Sequence, residues 1–138
     1  KSNQVQIQIK SSEAWFAFRD GRRSEALELM NTAADMQDKT EKHPVTPGEV
    51  VPARELLGDM LLQMDKPREA LEAYAADLEK HPNRFNGLYG AALAAETSGN
   101  VEMANMYYRQ LLNIANRAQQ ERTELMLAKR FLKSHKHL

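Results

Sequence analysis

Apolar residues recur at steps of three and four through most of this chain, the spacing that lines one face of a helix. Ala26, Leu27, Met30, Ala33, Ala34 and Met36 form such a face between Ser24 and about Glu41. A second run, Leu56, Leu57, Met60, Leu61 and Met64, belongs to a helix expected to start near Pro52. Its partner reaches about Lys80 through Ala70, Leu71, Tyr74 and Leu78. Further helices are expected over about residues 84–97 and 101–115. A last one, over about residues 117–133, carries Leu125, Leu127, Ala128, Phe131 and Leu132. The opening stretch Val5-Gln6-Ile7-Gln8-Ile9 alternates as a strand does. The sequence offers no second β run for it to pair with, so residues 4–19 are read as a helix too.

Glycine and proline punctuate the chain between these runs. Asp20-Gly21 stops the first. The loop His43-Pro44-Val45-Thr46-Pro47-Gly48 cannot continue a helix, because proline has no amide hydrogen and disfavours helical geometry in the residue before it. Asp65-Lys66-Pro67 turns the chain, with Asp65 the expected N-cap and Pro67 in a first turn that needs no amide donor. His81-Pro82-Asn83 and Ser98-Gly99-Asn100 close the next two segments. One domain over residues 1–138 is expected, built of antiparallel hairpins. These are an atypical hairpin over 4–42, a Pro-rich loop over 43–51, hairpins over 52–82 and 84–116, and a capping helix over 117–134.

The hairpins repeat. Their turn-and-helix starts align as Asp20-Gly21-Arg22-Arg23-Ser24-Glu25-Ala26, Asp65-Lys66-Pro67-Arg68-Glu69-Ala70 and Ser98-Gly99-Asn100-Val101-Glu102-Met103-Ala104. Ala70 and Ala104 stand 34 residues apart, and a 34-residue unit of two helices is the tetratricopeptide period. Leu57, Gly58, Leu61, Ala70, Tyr74 and Pro82 fall where that family puts its large, small and capping residues. The next unit offers Leu88, Ala92, Ala95, Ala104, Tyr108 and Leu111. Over about residues 20–115 the chain therefore resembles a tetratricopeptide-repeat (TPR) protein. Residues 43–60 resemble the C-terminal repeat region of bacterial members. The resemblance implies an all-α, right-handed α-solenoid of about three antiparallel helix hairpins plus a C-terminal capping helix. Gly58 and Ala92 are expected where the two helices of a unit approach closely, and Tyr74 and Tyr108 between units. Ala26 and Ala70 are 44 residues apart, so the first unit departs from the pattern. Glu13 in an apolar slot and Asp77 in a small one depart from it as well.

Nineteen Lys or Arg balance nineteen Asp or Glu, which speaks against a nucleic-acid or membrane-surface partner. No apolar run approaches the ~18–20 residues of a membrane span, and no leader pattern opens the chain. A soluble protein is the expectation, with the cytoplasm slightly favoured. The chain begins at Lys1 rather than Met, which is read as a sign of a piece of something longer. Without cysteine there is no disulfide, thiolate metal site or thiol nucleophile. Enzyme signatures such as the phosphate-binding loop, the dinucleotide fingerprint, His-Glu-x-x-His and Gly-x-Ser-x-Gly are missing. No enzyme activity, cofactor or metal is expected, and no acid is read as poised by burial. His43 comes without a nucleophile or an acid–base set. His135 and His137 are too sparse for a metal site.

Three surfaces compete for function. The resemblance implies that the first helix of each unit lines a concave groove, through Glu55, Asp59, Leu62 and Gln63 in one unit and Asn86, Tyr89, Leu93 and Glu96 in the next. Their spacing places each set on one helix face. The expected partner is a protein or peptide, biased toward basic character by Glu55, Asp59 and Glu96. The family's clamp for a peptide carboxylate needs Lys and Asn where this chain has Glu55 and Asp59, so chaperone-tail binding is rejected. The second surface is Trp15-Phe16-Phe18, whose spacing cannot turn all three rings to one side. A homodimer contact through Trp15 and Phe18 is the alternative function, a structural self-assembly piece. The third is the C-terminal segment from Arg117, whose six Lys or Arg against two Glu give it +4. It is read as a cap with one polar face rather than a membrane or nucleic-acid helix. A helical accessory domain of a larger protein is a further reading.

Overall fold

Three turns of one design set the path of the chain. Gly21, Asp65 and Gly99 each adopt a left-handed backbone, with φ of 85°, 64° and 88°. Each ends a helix with the same pair of bonds. The amides of Arg22, Lys66 and Asn100 reach back to the carbonyls of Ala17, Leu61 and Ala95 at 2.9, 2.9 and 2.8 Å. Those of Gly21, Asp65 and Gly99 reach Phe18, Leu62 and Glu96 at 3.0, 3.0 and 3.1 Å. This is the Schellman stop, which satisfies carbonyls that the helix leaves over. Asp65 is therefore not the N-cap expected of it. It closes the preceding helix, and Lys66 occupies the N-cap position of the next.

Between the turns, the computed structural model describes residues 3–40, 51–115 and 122–135 and contains seven helices and no strand among them. They are α1 (Asn3–Arg19), α2 (Arg23–Thr40), α3 (Ala53–Gln63), α4 (Pro67–Lys80), α5 (Phe85–Thr97), α6 (Val101–Ile114) and α7 (Thr123–Ser134). Pairs α1/α2, α3/α4 and α5/α6 form hairpins, and each hairpin packs its second helix on the first helix of the next. The all-α solenoid of hairpins is thus the observed architecture. Residues 43–50, 117–121 and His137, on which sequence expectations also fell, lie outside the described residues. The last helix starts at Thr123, behind Arg122 in extended conformation, φ −70° and ψ 149°.

Ala26, Ala70 and Ala104, the residues that revealed the period, are fully buried near the start of each second helix. A larger residue there would push the hairpin open. Pro52 ends up just ahead of α3 with no side-chain cap. Gln37 on α2 replaces one, its Oε1 accepting from the Ala53 amide at 2.7 Å. Tyr74 ties two hairpins together. A Cβ on Gly58 of α3 would lie 2.7 Å from its ring, and one on Gly90 of α5 closer still. The ring is held between two glycines of successive first helices. Gly58 is small to seat an aromatic ring, which refines the expectation of a bare close approach. In the following unit Tyr108 has the corresponding role, packing its ring 5.0 Å from Phe131 of α7. Leu125, Ala128 and Phe131 bury α7 against α6.

Candidate functional site

Because α1, α3, α5 and α7 do not spend every face on the inside of the hairpins, some of their side chains remain for another use. Asp59, Leu62 and Gln63 of α3 and Asn86, Tyr89 and Leu93 of α5 line one cavity of about 480 Å³. Trp15 from α1 joins them, with Tyr74 and Gly90 completing the lining. A second cavity of about 290 Å³ shares Tyr89 and Leu93 and extends past Glu96 and Tyr108 to Leu127, Arg130 and Phe131. The two make one groove that runs from α1 across α3 and α5 to α7. Seven of the eight groove residues read from sequence line it.

Glu55 does not. Its side chain is 1% exposed, and Arg84 holds it, Nε donating to Oε1 at 2.7 Å and Nη2 to Oε2 at 3.3 Å. The residue has the helical spacing of a groove position. Arg84, just ahead of α5, turns inward and covers it, so Glu55 serves as a bridge between hairpins rather than as a groove carboxylate.

Asp59 is the only charged side chain among the described residues of the larger cavity. Burial raises its pKa to about 6, against the pull of the Tyr74 hydroxyl that donates to Oδ1 and of Arg84; the charges of Glu55 and Asp77 add to the rise. Tyr74 in turn is pushed far above the usual phenol range by burial and by the Asp59 carboxylate. Asp77 on α4 is 3% exposed. Its Oδ1 lies 3.0 Å from His81 Nδ1, while Oδ2 finds no donor among the described residues. Burial raises its pKa too, the His81 bond working against the rise. The expectation that no acid is poised by burial is therefore corrected. Glu55, Asp59 and Asp77 converge from α3 and α4 beside Gly87 and Tyr74. No three His, Asp or Glu among the described residues are arranged to hold a metal ion.

In the smaller cavity Tyr108 donates to Glu96 at 2.7 Å, a second tyrosine–carboxylate pair. Arg130 lines the same space, so a cation of the chain itself shares that cavity with the carboxylate. On α1, Trp15 and Phe18 meet edge to face at 5.6 Å and are half-buried. The ring that reaches solvent is Phe16, 60% exposed, with the Arg19 guanidinium 5.5 Å from it. Phe16, Val5 and Ile9 form an exposed stripe along the outer side of α1. The outward ring is thus not one of the two proposed from sequence. A separate hollow of about 620 Å³ lies on the second helices, between Arg68 and Glu72 of α4 and the start of α6 at Val101 and Glu102.

The fold places the chain beside known proteins. It superposes on the crystal structure of the P58(IPK) TPR domain with a TM-score of 0.64 at 21% identity, over 96% of this chain and 35% of that one. It superposes on PcrH from Pseudomonas aeruginosa with a TM-score of 0.68 at 12% identity, over 94% of this chain and 91% of that one. The chain thus spans about a third of the P58(IPK) structure and nearly all of PcrH. No protein-family model matches the sequence, and no curated protein matches it. The chain has a TPR-like fold, which was legible from its 34-residue period. Among the described residues no helix is long and apolar enough to cross a membrane.

Proposed function

We propose that this chain is a protein-interaction module that holds a segment of a partner protein in the groove between α1 and α7. The continuity of the two cavities carries this reading. Four helices contribute Trp15, Leu62, Asn86, Tyr89, Leu93 and Leu127 to one surface that packing leaves uncovered. Curved arrays of hairpins offer such extended surfaces for binding. Proteins, rather than nucleic acids or membranes, fit a chain with balanced charge. Panning a phage-displayed heptapeptide library on the immobilised chain tests it. Selected peptides should lose binding to the Asn86→Lys and Leu93→Glu variants, with fold checked by circular dichroism. Peptides that bind both variants as well as the native chain would move the site elsewhere.

A second reading, self-assembly, is favoured by the apolar stripe Val5, Ile9 and Phe16 on the outer side of α1. It replaces Trp15 and Phe18 with Phe16 as the central contact. Sedimentation equilibrium decides it: a dimer converted to monomer by Phe16→Lys supports assembly, and a native monomer at high concentration overturns it.

A further inference from the structure

We infer that the larger cavity is a subsite for one basic side chain, arginine or lysine, of the segment held in the groove. The inference rests on the groove reading above. Three observations point the same way. Asp59 is the single charged group among the described residues of the cavity, and it sits there half-buried, where a carboxylate without a cation is unfavourable. Arg84, whose charge acts on Asp59, is already bidentate on Glu55. The Tyr74 hydroxyl fills one acceptor site of Asp59, whereas a carboxylate offers about four. A cation entering the cavity would complete this set.

The walls suit the rest of such a side chain. Trp15 and Tyr89 line the space with Leu62 and Leu93. Apolar walls accept the methylene stem of Lys or Arg, and aromatic faces attract the cation itself. The smaller cavity has no such preference, since Arg130 shares that space with Glu96. The groove is therefore polarised, selective for a basic residue at its α1 end and neutral toward α7.

The groups that face Asp59 are Tyr74 and Asp77 from α4, Glu55 on its own helix, and Arg84 ahead of α5. With Asp59 titrating at about 6, the subsite holds its charge at neutral pH and loses it in mild acid. Binding of a basic side chain should weaken accordingly by about tenfold between pH 7.5 and pH 5.

The chain contains a single tryptophan, and it lines this cavity, so the one indole cross-peak, that of Trp15, serves as its reporter. The experiment titrates acetyl-Ala-Arg-Ala-amide, acetyl-Ala-Lys-Ala-amide and acetyl-Ala-norleucine-Ala-amide into the native chain and the Asp59→Asn variant. The basic tripeptides should shift the indole with about tenfold greater affinity than the norleucine one. Asp59→Asn should remove that difference. Asn86→Lys, an exposed change at the same cavity, should reproduce the loss without touching Asp59. Equal affinities for all three tripeptides, retained in Asp59→Asn, would overturn the inference and leave an apolar groove. A silent indole with every tripeptide overturns it too. Titration of a panned heptapeptide alongside separates the cases: if that peptide moves the indole, the groove reading stands without the basic subsite, and if it does not, both fall.

Discussion

Replacing Gly90 by alanine sets two physical effects of opposite sign against each other. Within a helix interior, alanine is favoured over glycine by about 1 kcal/mol. A helix considered alone would therefore be stabilised. In this fold the new methyl would press on the Tyr74 ring at the Cζ and Cε1 positions. The ring has nowhere to go, because Gly58 lies against it from α3 and its hydroxyl is bonded to Asp59. Overpacking of this kind costs roughly 1–3 kcal/mol, and a ring confined on two sides belongs at the upper end. The net expectation for Gly90→Ala is destabilisation by about 2 kcal/mol, or roughly 6 °C in Tm for a domain of this size. Urea unfolding followed by circular dichroism at 222 nm measures it. Tyr74→Leu removes the atoms that the new methyl would meet, so in that background the same alanine should stabilise. Gly87→Ala serves as a control, since the nearest atom to its Cβ would be the flexible end of Leu78 at 3.2 Å. A Gly90→Ala chain as stable as the native one would refute the account of Tyr74 as a wedge between hairpins.

Arg84→Met should destabilise by about 3 kcal/mol, because it strands the buried Glu55 carboxylate, and Glu55→Met added to it should restore most of the loss; chemical denaturation of the three variants checks the cycle. Asp65→Gly should stabilise by about 0.5–1 kcal/mol, since a left-handed backbone suits glycine and the matching turns have Gly21 and Gly99; a lower unfolding midpoint would count against the shared turn. Asp59 binds its proton more tightly folded than unfolded, with a pKa of about 6 against 3.8, so stability is lost as pH rises through that window. The loss is on the order of 1–2 kcal/mol once partial exposure is allowed for. Asp59→Asn should flatten the same stretch of a Tm-against-pH profile, and a variant with the native slope would assign it to other groups.

The elements legible in the chain are those fixed by neighbours in sequence. Asp20-Gly21 and Ser98-Gly99 announce their turns, and Ala70 and Ala104 give the period that makes the fold. Leu62, Gln63, Asn86, Tyr89 and Leu93 follow from that period, because a repeat fixes which face of each first helix is left over. Glu55 shares their spacing but not their place, because its partner, Arg84, lies 29 residues away in the next hairpin. No local pattern encodes that pair. The enclosure of Asp59 and Asp77 is hidden for the same reason, as it depends on side chains of the following helices. Asp65 reads as an N-cap because aspartate commonly caps; only the backbone shows it filling a glycine position. Helix α1 has apolar residues on two sides, with Ile7, Ala14 and Ala17 buried and Val5, Ile9 and Phe16 exposed. Spacing alone can say that one of three rings faces outward, but not that it is Phe16.

Whether the groove is the binding surface can be read from a single pair of spectra. Amide and indole correlation spectra of the ¹⁵N-labelled chain would be recorded with and without a panned heptapeptide. The account predicts shifts at Trp15, Asn86, Tyr89, Gly90 and Leu93, with Arg68, Glu72 and Glu102 on the second helices unchanged. Shifts gathered around those second-helix residues, or along Ile9 and Phe16 on the outside of α1, would contradict it.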